Sequence, residues 1–259
     1  CIGAVRLQNL EPCHEDIRRL TRALAGRNVR GFLNAASPGL ITAFQPNAYY
    51  PSHEAYLADL VSAMRPEYAA IAASGVQLQL DCPDLAMARH TGYQDLTDEQ
   101  FLKIAAANVE ALNAATADIP PEKLRMHVCW GNYEGPHDHD IPLERVLGII
   151  LRARPATILF EAANARHEHE WTVWAQAKIP EDKVLAPGLI DTRSNCVEHP
   201  ELIAQRLQRF IAIVGVERVI ASTDCGFGTF AGYGKIDPAV TWKKLRALRA
   251  GADLATARL

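Results

Sequence analysis

A histidine and a cysteine lie two residues apart, at His127 and Cys129, within the apolar run Leu124–Trp130. Side chains two residues apart on a strand point to the same face, so both could bind one metal ion. Taken alone, the pair is more typical of two buried core residues than of two metal ligands. Glu161 and Cys225 each follow a later apolar run, and they add two further side chains of metal-binding type.

These residue types favour zinc, which binds imidazole nitrogen and thiolate sulfur in tetrahedral sites. The predicted ligands are His127, Cys129 and Cys225, with Glu161 as a displaceable fourth ligand. Two thiolates make the ion a poor activator of water, but they suit it to bind a substrate thiol and lower its pKa. Methyl or alkyl transfer to sulfur is the chemistry that this ligand set favours.

Aspartates stand at the ends of apolar runs at Asp81, Asp191 and Asp224, the last of them directly before Cys225. A single aspartate in this position is often a helix N-cap, and for Asp81 alone the two explanations are equally good. Chemistry in β/α barrels is located at the C-terminal ends of the strands. Polar or metal-binding residues at five successive strand ends therefore favour one shared site.

Short apolar runs alternate with longer amphipathic stretches, which predicts βα units and a parallel sheet. The predicted strands are Ile2–Gln8, Gly31–Ala36, Val76–Asp81, Leu124–Trp130, Thr157–Ala162, Val184–Asp191 and Arg218–Asp224. The predicted helices are Glu15–Leu24, Ser52–Ala73 with a kink or break at Pro66, Asp98–Ala115, Pro142–Ala153, Pro200–Val214 and Val240–Arg249. Thr97 and Gln100 fit a capping box.

The chain has 259 residues, close to the ~250 of one (β/α)8 barrel, or TIM barrel. An α/β fold of this type, as a single domain over residues 1–259, is therefore predicted. Seven strands are one fewer than a closed barrel needs. The first strand and its helix are expected to precede Cys1 and to be missing from the chain.

Composition narrows the choice of partners and compartment. The formal net charge of −3 gives no electrostatic reason to expect binding to nucleic acid or to an anionic membrane. No apolar run approaches the ~20 residues that span a bilayer. The six cysteines are sparse and unevenly spaced, which is typical of reduced thiols in a cytoplasmic enzyme.

These residues resemble the zinc site of cobalamin-independent methionine synthases, in their order and in their strand placement. The matching segments are His127-Val128-Cys129, Phe160-Glu161-Ala162-Ala163-Asn164-Ala165-Arg166 and Ser222-Thr223-Asp224-Cys225-Gly226. The resemblance covers nearly the whole chain and implies a barrel, a Zn²⁺ cofactor held by His127, Cys129 and Cys225 with Glu161 exchangeable, and homocysteine as the thiol. Leu78-Gln79-Leu80-Asp81 resembles the strand whose aspartate binds the amino group of homocysteine.

One segment departs from that family. Ile190-Asp191-Thr192-Arg193-Ser194 carries Arg193 where the family has a histidine thought to donate a proton to the folate leaving group. Arginine stays protonated and is a poor general acid, which argues against methyltetrahydrofolate as the donor. Asp191 and Arg193 are predicted catalytic residues, with Arg193 stabilising an anionic donor or a developing alkoxide.

The departure resembles the short, single-barrel branch of the family, which includes core methionine synthases and epoxyalkane:coenzyme M transferase. The run from Trp130 to His137 is similar to that branch. The predicted substrate-binding residues are Asp81, Trp130, Asn132 and Asp224. Two reactions stay open: methyl transfer from a folate of the 5-methyltetrahydropteroyltriglutamate type to homocysteine, and opening of an epoxide by a thiol resembling coenzyme M.

Two other classes of protein remain as alternatives. A barrel zinc hydrolase of the amidohydrolase kind could use Asp224, but it would leave Cys129 and Cys225 without a role. A non-enzymatic domain stabilised by zinc would have a closed site, usually with closely paired cysteines. The histidine pairs at His137 and His139 and at His167 and His169 are interpreted as solvated polar runs.

Overall fold

The computed structural model describes residues 1–228, 232 and 236–259, which form two compact units. Unit 1 comprises Cys1–His127 and His139–Ala156, and unit 2 comprises Val128–Asp138 and the described part of Thr157–Leu259. Unit 1 contains α1 (Glu11–Leu24), β1 (Phe32–Ala36), α2 (Pro38–Phe44), α3 (His53–Ala73), β2 (Gln77–Asp81), α4 (Ala88–Thr91), α5 (Asp98–Ala115), β3 (Leu124–Val128, whose last residue belongs to unit 2) and α6 (Leu143–Ile150). Unit 2 contains β4 (Thr157–Phe160), α7 (Trp171–Gln176), β5 (Val184–Pro187), α8 (Pro200–Val214) and α9 (Pro238–Thr256).

The sheet of unit 1 is parallel, and its strands follow the order β1, β2, β3. The register pairs Ala36 with Asp81 and Asp81 with His127 at the C-terminal ends of the strands. Leu78, Leu80 and Met126 are fully buried within these strands. The apolar interior therefore fixes the register that brings Asp81 and His127 to the same edge.

Unit 2 has a second parallel pair, in which β4 lies beside β5. The predicted strand Arg218–Asp224 is reduced to two isolated parallel bridges, between Leu185 and Val219 and between Gly188 and Ser222. Its backbone still forms bonds along β5, since Ile220 N donates to Leu185 O and Ser222 N donates to Pro187 O. The α/β class with parallel strands is confirmed, while closure of an eight-stranded barrel and a missing first unit stay predictions.

The strand predicted at Ile2–Gln8 is wrong: the segment forms no regular element. Its hydrogen bonds go to a neighbouring loop, because Cys1 N donates to Pro46 O and Val5 N donates to the Tyr50 hydroxyl. Ile2 is 92% exposed, so its apolar pattern does not face a core. Alternating apolar residues predict a strand only where a neighbouring strand supplies the ladder.

The helix predictions agree with the structure better than the strand predictions do, with two corrections. The capping box of Thr97 and Gln100 is confirmed. Pro66 does not interrupt α3, which runs unbroken from His53 to Ala73 and buries Tyr68 among other side chains. The pattern missed α2, which begins where the Ser37 side chain accepts from Leu40 N and Pro38 fills the first turn.

A buried polar network connects α2, α5 and the turn after β2. The Ser37 hydroxyl donates to Asp84 Oδ1 at 2.8 Å, and Asn108 Nδ2 donates to Asp84 Oδ2 at 3.0 Å. Gly39 allows this approach, because an added Cβ would come 2.1 Å from Asp84 Oδ2. Burial raises the pKa of Asp84 to about 6, against the stabilising hydrogen bonds from Ser37 and Asn108.

Asp84 should therefore make stability depend on pH. Its folded-state pKa lies above the ordinary 3.8, so the stabilising contribution is complete below about pH 4 and is lost as the pH rises through about 6. The loss amounts to about 3 kcal/mol, at about 1.36 kcal/mol for each pH unit between the two values. Asp84→Asn, whose amide can still bond both partners, should lack this dependence.

Urea unfolding of the parent and of Asp84→Asn at pH 4 to 7.5 measures the effect. We expect the variant to gain stability relative to the parent as the pH rises. Asp95→Asn is the matched control, because Asp95 is exposed, and its difference from the parent should stay flat. Parallel curves for the parent and Asp84→Asn would show that Asp84 does not titrate during unfolding.

Candidate active site

His127 ends the unit 1 part of β3, and a carboxylate fixes its ring. Nδ1 of His127 lies 2.8 Å from Asp81 Oδ1, the residue opposite it in the parallel register. A carboxylate on one ring nitrogen sets the tautomer that presents the other nitrogen as a ligand. Asp81 is not an N-cap, since the short turn after β2 begins at Cys82 without a side-chain cap. Its predicted contact with the substrate amino group stays a prediction.

Two cysteines lie together in unit 2. Cys129 directly follows β3, and its Sγ lies 3.4 Å from Sγ of Cys225. Both side chains are buried, and all six cysteines of the chain are free. A disulfide would need about 2.05 Å between the sulfurs, so the pair is two adjacent thiols. Gly131 N donates to the Cys129 sulfur at 3.2 Å.

Glu161, just beyond β4, completes this cluster. Its Oε1 lies 3.7 Å from Cys225 Sγ and accepts Trp130 N at 2.8 Å. Its Oε2 accepts the Asn164 side-chain amide at 2.8 Å. Each carboxylate oxygen thus has a donor, and one oxygen faces the thiols.

Asp224 precedes Cys225 and is equally buried, and most of its hydrogen bonds come from backbone N–H groups. Its oxygens accept the N–H groups of residues 162 to 164 at 2.8 to 2.9 Å. Burial, followed by the charge of Glu161, raises the pKa of Asp224 to about 7. These contacts give Asp224 a role in holding the loop after β4, and its predicted contact with the substrate stays a prediction.

The cluster concentrates acidic groups away from water. The pKa of Cys225 is raised well above its ordinary value by its hydrogen bond with Cys129, then by burial and by the charges of Cys129, Glu161 and Asp224. A bound divalent cation reverses this effect, because it stabilises the deprotonated ligands. Two thiols and a carboxylate oxygen are therefore a donor set that fits a cation such as Zn²⁺.

The segment after β5 is joined to the residues that follow Cys129. Thr192 Oγ1 donates to Asn132 Oδ1 at 2.9 Å, and Asn132 Nδ2 donates to Gly226 O at 2.6 Å. Asp191 Oδ1 accepts Arg193 N at 2.9 Å and lies 3.4 Å from its Nε. The structure thus links Asn132 to the residue after Cys225, and it fixes Arg193 beside Asp191.

The run of alternating His and Glu after Arg166 is only in part the solvated surface that its polarity predicts, since His169 is exposed but two of its neighbours are not. His167 and Glu170 are buried, and Nδ1 of His167 lies 2.9 Å from Glu170 Oε2. The His167 ring is 4.8 Å from that of Trp130, the residue after Cys129. The prediction fails because residues 168–170 form a 3-10 turn, which directs two of the polar side chains inward.

His137 is also buried, and its φ of 52° lies in the left-handed region. Its ring stacks on Tyr133, with the centroids 4.5 Å apart. The interpretation of His137 as a solvated residue is therefore wrong.

Within residues 1–228, 232 and 236–259, none of the helices combines the length and apolar character that a membrane crossing requires.

Parallel strands followed by buried thiols and a buried carboxylate define an α/β protein with a candidate metal-ligand site. The chain belongs to the family of cobalamin-independent synthase catalytic domains, whose family model matches residues 10–241. A B12-independent methionine synthase from Shewanella sp. W3-18-1, solved with selenomethionine, shares the fold with a TM-score of 0.70 at 19% identity over 94% of this chain and 66% of that one.

Two curated relatives are named for different reactions. The 2-hydroxypropyl-CoM lyase of Xanthobacter autotrophicus is 26% identical over 58% of this chain and 45% of its own length. A methionine synthase of Saccharolobus solfataricus is 25% identical over 75% of this chain and 51% of its own length. The chain thus spans about half the length of the curated relatives it matches.

Gly188, the residue after β5, lies directly against Asp224. An added Cβ would lie 2.0 Å from Asp224 Oδ1 and 2.5 Å from Asp224 Cα. Gly188→Ala should therefore displace the loop and destabilise the fold by about 1–3 kcal/mol. Gly148→Ala is the control, because its Cβ meets open space on α6 and should stabilise by up to ~1 kcal/mol.

Chemical denaturation of both alanine variants, with near-ultraviolet circular dichroism to report on Trp130, measures these changes. The expected results have opposite signs. Equal stability of Gly188→Ala and the parent would show that Asp224 is not held against β5.

Proposed function

We propose that the chain catalyses zinc-dependent methyl or alkyl transfer to the sulfur of a small-molecule thiol. The observation that carries this proposal is the buried pair Cys129 and Cys225, 3.4 Å apart, with a Glu161 oxygen 3.7 Å from one sulfur. Membership of the cobalamin-independent synthase family supports the reaction class. The two relatives support a thiol partner, since their names refer to coenzyme M and to methionine.

The ion would be held by His127, Cys129 and Cys225, with Glu161 as the exchangeable ligand. When bound, zinc lowers the pKa of a substrate thiol so that a nucleophilic sulfur is available near neutral pH. Asp81 orients the His127 ring, and Gly131 N donates to the Cys129 sulfur. Burial of both thiols excludes water from their sulfur atoms.

Glu161 would serve as the exchangeable ligand, because its carboxylate oxygens already have hydrogen-bond donors on the chain. Its anchors, Trp130 N and the Asn164 amide, stay in place on the chain whether or not the carboxylate contacts an ion. Buried thiols also argue against the hydrolase alternative. Two thiolates reduce the capacity of a cation to acidify water, which a hydrolase would need.

The donor is expected to contact Arg193. This guanidinium lies beside Asp191 and its side chain is 18% exposed, so it is oriented but accessible. A cation that never gives up its proton stabilises negative charge on a donor or leaving oxygen. This favours epoxide opening over proton delivery to a folate, and methyl transfer from a folate to homocysteine is the second candidate because of the methionine synthase relatives.

The first test follows sulfur at the metal by X-ray absorption. Adding homocysteine or coenzyme M to the zinc-loaded protein should add one sulfur neighbour at about 2.3 Å. The physical reason is that a cation with two thiolate ligands prefers sulfur to hydroxide in its exchangeable position. An unchanged sulfur count with both thiols would favour the hydrolase alternative.

The ligands are checked in the same material. Cys129→Ser and Cys225→Ser should lose most of the zinc, whereas Cys196→Ser, which alters an exposed cysteine, should keep it. Full zinc content in both buried-cysteine variants would show that the ligand set is wrong.

Substitutions of Arg193 test the donor side, with epoxides and methyltetrahydrofolate assayed as donors. Arg193→Lys should keep part of the activity because the charge survives, and Arg193→Ala should lose about 2–4 kcal/mol of transition-state stabilisation. Arg249→Ala is the control, since Arg249 pairs with Asp253 on an exposed helix face. A gain of folate-dependent activity by Arg193→His would identify a diverged methionine synthase. Parent activity in every Arg193 variant would place Arg193 outside the site.

A further inference from the structure

Asn164 is a buried side chain that uses its complete hydrogen-bonding capacity beside the candidate metal site. We propose that Asn164 is the positioning residue for Glu161, which fixes the orientation of this carboxylate and thereby the affinity of the site for its metal. The inference rests on the proposed function in one respect, that Glu161 is a metal ligand. Asn164 itself touches no reacting atom in this scheme.

The donor half of the amide joins two carboxylates. Nδ2 of Asn164 donates to Glu161 Oε2 at 2.8 Å and to Asp224 Oδ2 at 3.0 Å. Two carboxylates at this short separation would repel each other. An amide NH₂ placed between them donates one hydrogen bond to each carboxylate. Asn164 therefore links the exchangeable ligand to the residue that precedes Cys225.

The acceptor half anchors the amide to the loop. Oδ1 of Asn164 accepts Arg166 N at 3.0 Å and His167 N at 3.2 Å. An asparagine amide offers two donors and two acceptor positions, so every position is occupied. The amide plane cannot turn without losing buried hydrogen bonds.

This rigidity is passed on to Glu161. With Oε2 held by Asn164 and Oε1 held by Trp130 N, the carboxylate has one orientation, in which Oε1 lies 3.7 Å from Cys225 Sγ. Removal of the Asn164 donor would leave the Glu161 carboxylate free to rotate, beside the charge of Asp224. Loss of such an outer partner typically weakens metal binding by about 10–100-fold.

Asn164→Asp is the decisive variant, because it keeps the size and the Oδ1 acceptor but replaces the donor by an oxygen. Its zinc affinity is measured by competition with a chromophoric chelator. We expect binding about 10–100-fold weaker than in the parent. Asn113→Asp is the matched control: Asn113 lies on α5 in unit 1, where its Nδ2 donates to Arg152 O and its Oδ1 accepts Arg154 N. It should bind zinc like the parent.

A double-mutant cycle with Glu161→Gln separates positioning from general damage. If Asn164 acts through Glu161, Asn164→Asp should weaken zinc binding less than about threefold in the Glu161→Gln background. An equal loss in both backgrounds, or parent affinity in Asn164→Asp, would overturn the proposal. Should Asn164→Asp fail to fold, Asn164→Ser enters the same cycle with the same criteria.

The cycle also distinguishes this inference from the proposed function. It measures metal affinity and needs no turnover. A protein that binds zinc and shows the coupling, but adds no sulfur neighbour with either thiol, would retain the role of Asn164 and lose the transfer reaction. A protein that adds the sulfur without the coupling would lose only the role of Asn164.

Discussion

The unit 2 site depends on the burial of several acidic groups within a few ångströms. Cys129, Cys225, Glu161 and Asp224 are all buried, and their mutual repulsion adds to the cost of removing each charge from water. That cost appears in the raised pKa values of Cys225 and Asp224. A protein keeps such an arrangement only if donors or a cation offset it. The surrounding structure supplies the donors, and the cation of the proposed function would supply the remainder.

Most of these donors are backbone N–H groups at the ends of parallel strands. Trp130 and Gly131 supply them after β3, and residues 162 to 164 supply them after β4. Backbone donors cost little entropy to orient, because the strands already fix them. Because three of these N–H groups bind Asp224, the loop after β4 is packed tightly against it. Gly188 lies on another side of Asp224 and has no room for a side chain.

The sequence was sufficient to predict the ligand candidates, because strand alternation and strand ends are local properties. His127 and Cys129 share a face by spacing alone, and Glu161 and Cys225 follow apolar runs. The parallel strands were also predictable, apart from Ile2–Gln8, which has no neighbouring strand, and Arg218–Asp224, which is reduced to two isolated bridges. Asn164 and the buried pair of His167 and Glu170 were not, since their burial arises from a turn that the polarity of the segment does not predict.

The proposed reaction would have a sulfur side and a donor side, and the chain supports their residues differently. The thiols of Cys129 and Cys225 and the Glu161 carboxylate are closely bonded to one another and to backbone donors, so a substitution there leaves a buried group without its partner. Arg193 is held chiefly by Asp191, whose N–H donates to Glu198, and Glu198 in turn accepts from the buried Lys244. If Arg193 contacts the donor as proposed, different donors with negative charge would be accommodated there without disturbing the thiol pair. Such a division would fit the two relatives whose names refer to coenzyme M and to methionine.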